Sequence, residues 1–490
     1  MSTFYIQQFG CRATQADGAA LERQLLDRGC TAASDPASAA IVVLNTCTVT
    51  AAADAQARDA IRKFHSQSPA ARLIVTGCYA QRAPEELAAL PGVSYVVGNS
   101  HKPQLPDLVT ALSCDPRVGA DQAPAKSVDS AVAPSSAFVP VRSLIADSAL
   151  PFHSFLGESP ASRRRAQVLT GDILTQSELL SAPVLGGEAN HTRPTLKIQD
   201  GCNLRCSYCV IPFVRGKSRS LPPDAIIREI KSLTSSDSAY QAREIVLSGI
   251  NLGTYGRDLS PKVDFLTLLR RILDETTLER LRISSIEPQD VTLDLIDLFA
   301  STDRLAEHFH MPLQSGSDRI LATMHRWYRT EHYARRVELI RERYPHAAIG
   351  ADLIAGFPGE TESDHDATLS FIERLRFAYL HVFSYSSRPG TQAASLPSHL
   401  PAQIIKRRAR ELRALSEAKS AAFRHSQLGR RLRVLTLRRS PGASAGTTPA
   451  MSSNYLKVVL SGDFSPNRWL EIQLSERHFV TTNDEPVPAP

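Results

Sequence analysis

The feature that most constrains the fold is a regular alternation between short apolar runs and amphipathic, helix-like stretches. Between residues 193 and about 390 the pattern occurs six times, with the runs TLKIQ, REIVLSG, RLRISS, HFHMP, AAIGADLIAG and YLHVFSY. Alternating strand and helix signals indicate parallel βα units. Six such units predict a sheet that closes, or nearly closes, as a partial (β/α)6 barrel, with its chemistry at the carboxyl ends of the strands.

The first 113 residues show the same alternation on a smaller scale. FYIQQF, IVVLNT, RLIVT and SYVV are the strand candidates, and amphipathic helices follow two of them. This predicts a Rossmann or flavodoxin-like α/β domain over residues 1–113, which binds its ligand at the carboxyl edge of the sheet. Cys11, Cys47 and Cys78 each follow one of the first three strands. We therefore expect these three thiols to meet in space.

A second group of three cysteines lies at the start of the six-unit region. Between Asp200 and Pro212 the chain reads DGCNLRCSYCVIP, with Cys202, Cys206 and Cys209 at spacings of four and three. A structural zinc site normally has four ligands, but the next Cys or His is His308. Cys thiolates also hold [4Fe–4S] clusters. Three thiolates leave one iron of such a cluster without a protein ligand, so that iron can bind a substrate.

The remaining segments differ in composition from these two regions. Residues 114–192 are rich in Ala, Pro, Ser and Val without usable periodicity, which predicts a low-complexity insertion or linker with at most one docked helix, at TQSELLS. The arginines at 163–165 are interpreted as part of that solvated linker. The barrel domain is expected to occupy residues 193–426. Residues 427–490 show short β patterns that predict a small all-β module.

Charge and hydropathy indicate the partner and the compartment. Residues 401–440 contain twelve Lys or Arg against two acidic residues, although the net charge of the whole chain is only +6. This density favours a polyanionic partner, and the β module adds cations beside aromatic side chains, a combination suited to RNA. These residues are Asn454, Tyr455, Lys457, Arg468 and Trp469.

The chain is expected to be cytoplasmic and without membrane association. It contains no apolar run of 18 residues, and its start lacks a basic segment followed by an apolar one. Eight cysteines in 490 residues do not make a disulfide scaffold. Their clustering in turn-like loops favours metal ligation in a reducing compartment.

Several motifs resemble those of the methylthiotransferase family of radical S-adenosylmethionine (SAM) enzymes. They are FGCRATQAD, NTCTVT, TGCYAQR, DGCNLRCSYCVIPFVRGKSRS, GINLGTYG, SSIEPQD, HMPLQSGSD, GFPGET and SYSSRPGTQAA. NTCTVT and TGCYAQ favour the branch that modifies N6-threonylcarbamoyladenosine in tRNA. The chain departs from many relatives at Thr14, where they carry Asn, and in its long insertion. Alternatives are isopentenyladenosine 37 of tRNA or a ribosomal-protein aspartate as acceptor and, in another class, a non-catalytic Fe–S or zinc RNA-binding protein.

The resemblance implies two [4Fe–4S] clusters, SAM and a tRNA substrate. It places an auxiliary cluster on Cys11, Cys47 and Cys78, and the radical-generating cluster, whose open iron chelates SAM, on Cys202, Cys206 and Cys209. It also implies a TRAM-like C-terminal module, a reductant such as flavodoxin or ferredoxin, and transfer of a methylthio group to C2 of adenosine 37 beside the anticodon.

Further contacts are expected on the rim formed by the carboxyl ends of the strands, which the N-terminal sheet is expected to cap. The residues expected to contact SAM are Tyr208, Ser248, Gly249, Ser285 and Gln314. Other polar or glycine-rich positions on that rim are Asn251, Glu287, Ser315, Gly356, Gly359, Glu360 and Arg388.

Overall fold

The N-terminal domain is a fully parallel, six-stranded sheet flanked by helices. The computed structural model describes residues 2–113, 166–184, 192–238, 240–439 and 446–479. In the N-terminal domain the strands are β1 (Thr3–Gln8), β2 (Thr31–Ala32), β3 (Ile41–Thr46), β4 (Arg72–Gly77), β5 (Val93–Gly98) and β6 (Gln167–Leu169). The helices are α1 (Arg12–Asp27), α2 (Ala51–Gln67), α3 (Cys78–Arg82), α4 (Pro84–Ala88) and α5 (Leu105–Ser113).

The strand order of this sheet explains where a ligand can bind. The order is β2-β1-β3-β4-β5-β6, and its first five strands follow the flavodoxin-like arrangement, whose topological switch point lies between β1 and β3. All six residues of β3 are buried, as expected for a central strand covered on both faces. The predicted parallel α/β sheet is confirmed.

Part of the predicted insertion belongs to this domain. Strand β6 pairs in parallel with β5, and a 3-10 turn at Ile173–Thr175 follows it. The prediction of a helix at TQSELLS is wrong, because residues 176–181 form neither helix nor strand. This segment instead docks in extended form along the junction with the next domain. The arginines at 163–165 and Cys114 lie outside the described residues.

The central domain contains six parallel strands in two sheets. The strands of this region are β7 (Thr195–Lys197), β8 (Gln199–Asp200), β9 (Arg219–Ser220), β10 (Glu244–Ser248), β11 (Arg280–Ile283), β12 (His308–His310), β13 (Ala348–Ala355) and β14 (Tyr379–Ser384). The helices are α6 (Ile211–Arg215), α7 (Pro223–Thr234), α8 (Phe265–Glu275), α9 (Leu293–Ala300), α10 (Asp318–Thr323), α11 (Thr330–Arg343), α12 (Glu362–Arg374) and α13 (Ala402–Ser426).

These six strands run in the order β7-β10-β11 and β12-β13-β14. Parallel bridges from Leu281 to Leu305 and from Ser285 to His310 connect the two sheets. One face of the strands packs apolar side chains against the helices in one continuous core. The opposite face, here called the inner face, carries polar side chains such as Glu244 and Asp352. The six predicted βα units are therefore present.

The C-terminal module is a four-stranded antiparallel sheet with the order β17-β16-β15-β18. Its strands are β15 (Arg431–Thr436), β16 (Thr447–Ser452), β17 (Lys457–Ser461) and β18 (Trp469–Gln473). Arg280 and Arg282, on β11, donate hydrogen bonds to the carbonyl groups of Met451 and Ser452. The module therefore packs against the amino ends of the central strands, opposite the predicted reaction site.

Three of the five residues of this module that were expected to contact RNA make contacts within the protein. Asn454 is 1% exposed and donates hydrogen bonds to Gln427 and to the carbonyl group of His346. Tyr455 stacks on His308 with ring centroids 4.4 Å apart. Trp469 packs against the guanidinium groups of Arg280 and Arg433. These contacts attach the module to the central domain.

Within the described ranges, no helix combines the length and the apolar character needed to cross a bilayer.

Candidate active site at the junction of two domains

The cysteines of the N-terminal domain meet at the carboxyl edge of its sheet. Cys11 precedes α1, Cys47 directly follows β3, and Cys78 is the first residue of α3. Gly10, at φ +98°, lies between β1 and this edge, and a Cβ atom there would be 2.3 Å from Cys47 Cβ. Glycine is therefore required for Cys11 and Cys47 to come this close.

The environment of these thiols suits soft metal ligands. Cys47 and Cys78 are 5% and 1% exposed. Burial, followed by the neighbouring Cys11 and Cys78, raises the pKa of Cys47 to about 12, and burial also raises the pKa of Cys78. Without a metal, Cys47 and Cys78 therefore stay protonated, whereas a cationic cluster would stabilise their thiolates. This donor set fits iron–sulfur ligation.

The second trio lies in the loop between β8 and α6. The amide of Cys202 donates to Gly216 O at 3.0 Å, and the amide of Cys209 donates to Cys206 O at 3.0 Å, so the loop is folded back on itself. Leu204 N donates to Cys202 Sγ at 3.4 Å. Burial, with Cys206 and then Cys202 nearby, raises the pKa of Cys209 to about 12. These three thiols also form one group, and the same reasoning fits them to a cluster.

The N-terminal trio contacts the segment that follows the second trio across the domain junction. Cys78 packs in one buried apolar group with Val210, which directly follows Cys209, and with Val214 on α6. The amide of Asn99 donates to Val214 O at 2.7 Å and to Cys78 Sγ at 3.5 Å. One side chain of the N-terminal domain thus contacts both a cysteine of its own trio and the segment that follows the other trio.

A buried network of ion pairs holds the two domains together beside the cysteines. Asp17, on α1, accepts hydrogen bonds from Lys102 at 2.9 Å, from Arg215 at 3.1 Å and from Lys197. Arg215 and Lys197 also contact Asp200, each at 2.9 Å. Burial opposes ionisation of Asp17, but Arg215 and the two lysines outweigh it and lower its pKa to about 2. The network fixes the orientation of the two cysteine loops.

The residues expected to contact SAM all lie at carboxyl ends of central strands or in the triplet loop. Ser248 ends β10, Gly249 follows it, and Ser285 lies two residues after β11. Gln314 has a φ of +70°, and its amide donates to Asp352 O at 2.7 Å. Tyr208 packs its ring edgewise on Phe357 at 6.5 Å. Their contacts with SAM remain predictions.

Two rim residues of the sequence analysis have structural roles instead. Arg388 reaches the N-terminal domain, where it donates to Asp54 at 2.5 Å. Glu360 accepts hydrogen bonds from Arg408 on α13 and from the amide of Gly356, each at 2.8 Å. Arg388 therefore fastens the N-terminal domain over the carboxyl ends of the strands.

Sequence reasoning missed Arg326, which contacts the second trio directly. Its guanidinium donates to Cys206 Sγ at 3.3 Å and pairs with Glu287. Arg326 lies 120 residues after Cys206, and the turn that carries it shows no distinctive pattern. Asn251 was named only as a rim residue; it opposes the rise in the pKa of Cys202 that burial causes, and its side-chain nitrogen and oxygen are buried without a hydrogen-bond partner among the described residues.

Comparisons with known proteins agree with this geometry. Residues 3–98 match the uncharacterized protein family UPF0004, and residues 196–372 match the radical SAM superfamily. The threonylcarbamoyladenosine tRNA methylthiotransferase MtaB of Aquifex aeolicus (strain VF5) is 34% identical, over 93% of this chain and 96% of the relative. The chain belongs to the radical SAM methylthiotransferase family.

A second sequence relative and a solved structure show how far the similarity of this methylthiotransferase to known proteins extends. A tRNA-2-methylthio-N6-dimethylallyladenosine synthase of Syntrophobacter fumaroxidans is 34% identical, over 84% of this chain and 79% of the relative. The structure of the radical SAM methyltransferase TsrM from Kitasatospora setae, with cobalamin and a [4Fe–4S] cluster bound, aligns with a TM-score of 0.53. It covers 80% of this chain and 77% of TsrM at 17% identity, which shows similarity of fold alone.

As a member of this family, the methylthiotransferase is an enzyme that uses two [4Fe–4S] clusters and SAM. Family membership rejects the interpretation of a non-catalytic Fe–S or zinc RNA-binding protein.

Proposed function

We propose that this methylthiotransferase converts N6-threonylcarbamoyladenosine 37 of tRNA into its 2-methylthio derivative. The structural observation that supports this best is the contact of Cys78 with Val210 and Val214, because it directs both cysteine trios to one junction. The similarity to MtaB of Aquifex aeolicus, over nearly the whole of both chains, supports the threonylcarbamoyl substrate.

The six cysteines would hold the two clusters. Cys11, Cys47 and Cys78 would hold the auxiliary cluster, and Cys202, Cys206 and Cys209 the cluster that binds SAM. When bound, the clusters supply the radical and the sulfur, chemistry that side chains do not provide. The chain itself orients the two groups through Asp17 and Arg215.

The chain also excludes water from this junction. Val210 and Val214 are 4% and 0% exposed, so the segment that packs against Cys78 shields that side of the site from solvent, which a reactive radical requires. Tyr208, Ser248, Gly249, Ser285 and Gln314 are proposed to contact SAM. Their positions at strand ends, facing the N-terminal domain, support this assignment.

The RNA is proposed to bind along the exposed cations of α13. The six central strands would form a partial (β/α)6 barrel, with the N-terminal domain over its carboxyl end and a TRAM-like module at its amino end. The substrate would be the anticodon stem–loop, whose unpaired bases can leave the stack at modest cost. A flavodoxin or ferredoxin is the proposed reductant.

A second candidate acceptor is dimethylallyladenosine 37. The relative from Syntrophobacter fumaroxidans carries that name at the same 34% identity, although over a smaller share of both chains. A ribosomal-protein aspartate lacks comparable support, since MtaB and the dimethylallyladenosine synthase are both named for tRNA reactions.

The test compares substrates directly. Reconstituted holoenzyme is incubated with SAM, a reductant and anticodon stem–loop RNA carrying either threonylcarbamoyladenosine or dimethylallyladenosine, and nucleosides are analysed by mass spectrometry. We expect a 2-methylthio product from the threonylcarbamoyl RNA. Product from the dimethylallyl RNA alone would contradict the proposal. Nucleosides from a deletion strain, which should lack one methylthio species, provide an independent check.

A further inference from the structure

A cluster of polar side chains on the inner face of β12, β13 and β14 has no role in the site described so far. This inner-face cluster consists of His308, His310, Asp352, Tyr379 and His381. The hydroxyl group of Tyr379 lies 2.7 Å from His308 Nε2 and 2.9 Å from His310 Nδ1. Asp352 Oδ1 lies 2.9 Å from His310 Nε2 and 3.2 Å from His381 Nδ1.

The cluster is continuous with the rim that carries the expected SAM contacts. Ser285 pairs with His310 through a parallel bridge, and the amide of Gln314 donates to the carbonyl group of Asp352. At its other end, His308 stacks on Tyr455 of the C-terminal module. The cluster therefore lies below the junction of the two cysteine trios, with the module closing the space beyond it.

The region is rich in positive charge. Burial opposes ionisation of Tyr455, yet its pKa falls below its usual value because Arg12, Arg193, Arg282 and Lys457 are nearby. Arg193 and Arg282 pair with Glu244. In the parts of the chain that the structure describes, Arg12 and Lys457 form no ion pair. Arg12 directly follows Cys11, and its positive charge acts on both His308 and Tyr379 of the cluster.

One buried atom of the cluster also lacks a partner. His308 is 4% exposed, and its Nδ1 has no hydrogen bond among the described residues. A buried polar atom left unpaired is costly, by about 1–3 kcal/mol. An unpaired imidazole nitrogen and an unpaired guanidinium on the same path suit a ligand that carries both an anion and hydrogen-bonding groups.

We propose that Arg12 and the inner-face cluster bind the polar N6 substituent of the target adenosine. This inference rests on the proposed function. A threonylcarbamoyl group carries a carboxylate, which Arg12 would bind, and a hydroxyl and a urea group, which the imidazoles and Tyr379 would bind. A dimethylallyl group offers no hydrogen bond and would leave His308 Nδ1 and the guanidinium of Arg12 without a partner, so the cluster would select against it. Sites built to hydrogen-bond a substrate group reject analogues that lack it far more strongly than apolar pockets reject extra groups.

The first test uses the unaltered holoenzyme. Its kcat/KM is measured on three anticodon stem–loop RNAs, which carry threonylcarbamoyladenosine, its carboxyl methyl ester, or dimethylallyladenosine. We expect the ester to be about tenfold poorer, or worse, and the dimethylallyl RNA poorer still. Equal activity on the acid and the ester would overturn the role of Arg12 and leave the proposed function intact. Activity on the dimethylallyl RNA alone would overturn both.

The second test uses variants of the cluster. In His381→Phe and Arg12→Gln, the preference for threonylcarbamoyl over dimethylallyl RNA should fall about tenfold or more, mainly through KM, with the iron content of the protein retained. His332→Phe, at an exposed position on α11, is the matched control and should keep the preference. An unchanged preference in both cluster variants would overturn the proposal.

Because two imidazoles and a carboxylate can also bind a metal ion, elemental analysis of the holoenzyme completes the design. One equivalent of zinc or another divalent ion, lost in His381→Phe, would overturn the proposal in favour of a metal site. Absence of such an ion, together with the expected loss of preference, supports it.

Discussion

Cys78 is the residue at which the two halves of the site meet. It is the first residue of α3, it is almost fully buried, and it contacts Val210 and Val214 from the loop of the other trio. The thiol therefore has two separate tasks, ligation and packing. Substitution by Ala removes the ligand but keeps most of the small apolar volume, so the two tasks can be separated.

For Cys78→Ala we expect loss of methylthiolation with SAM cleavage retained. The iron content should fall from about eight to about four per chain, because one of two four-iron clusters loses a ligand. Deoxyadenosine and methylthio nucleoside are measured side by side by mass spectrometry. Cys30→Ala, which removes a buried thiol from an apolar group of the same domain, is the control and should keep both activities. Loss of SAM cleavage in Cys78→Ala would contradict this division of roles.

Arg326 supports the other trio. Because it donates to Cys206 Sγ and pairs with Glu287, Arg326→Gln removes a charged hydrogen bond worth about 1.5–3 kcal/mol. We expect deoxyadenosine formation to fall about tenfold to a hundredfold, with iron retained. Arg329→Gln is the matched control, because among the described residues its guanidinium donates hydrogen bonds to the backbone carbonyl groups of Arg326 and Tyr328 and to no side chain. Unchanged SAM cleavage in Arg326→Gln would show that the contact is incidental.

At the scale of elements, α13 shows that a basic sequence is not the same as a basic surface. Arg408 is 2% exposed and pairs with Glu360 and Glu362. Lys419 donates to the carbonyl groups of Glu373 and Leu375. These cations attach the helix to the central domain and are not available to RNA. Arg410 and others that face solvent remain available.

Two variants on this helix should therefore behave differently. Arg408→Ala leaves Glu360 buried without its partner and should lower the free energy of unfolding by about 3–5 kcal/mol. Arg410→Ala should leave stability unchanged, weaken RNA binding, and reduce the salt dependence of binding by about one unit of slope. Denaturant unfolding and filter binding at several salt concentrations measure the two effects. Equal stability of the two variants would contradict the assignment.

At the scale of the whole molecule, the ion-pair network around Asp17 holds the two cysteine-bearing domains in register. In the folded state the pKa of the Asp17 carboxyl group is about 2, below the value of about 3.9 for an unperturbed Asp. Asp17 therefore stabilises the folded state above about pH 4, and this contribution of about 2–3 kcal/mol is lost as the pH falls toward about 2.

Asp17→Asn should lower stability at pH 7 by about 3–5 kcal/mol, because Lys197 and Arg215 then have to share the carboxylate of Asp200 and Lys102 loses its carboxylate partner. The variant should also lose less stability than the original protein between pH 5 and pH 3, measured by urea unfolding. Asp59→Asn, in an exposed ion pair on α2, is the control and should match the original protein in both respects. A parallel pH dependence in Asp17→Asn would show that the network is not stabilising.

The local pattern of the chain was sufficient to predict the strands, the parallel sheets and the grouping of six cysteines into two trios. Strand and helix periodicity depends on neighbouring residues, and the carboxyl ends of parallel strands meet at one edge whatever the rest of the fold, so Cys11, Cys47 and Cys78 could be grouped from sequence. Cys202, Cys206 and Cys209 lie within eight residues of one another, so their grouping follows from the sequence directly.

Only the tertiary structure decided which charges face solvent, which residues support the cysteines and what occupies the inner face. Arg326 meets Cys206 across 120 residues, Asp17 meets Lys197 across 180, and Tyr455 reaches His308 from another module. Tertiary contacts also determined the conformation of residues 176–181, because contact with the domain junction outweighed the weak helical pattern of this segment. Such contacts depend on how distant elements pack, and no periodicity along the chain encodes them.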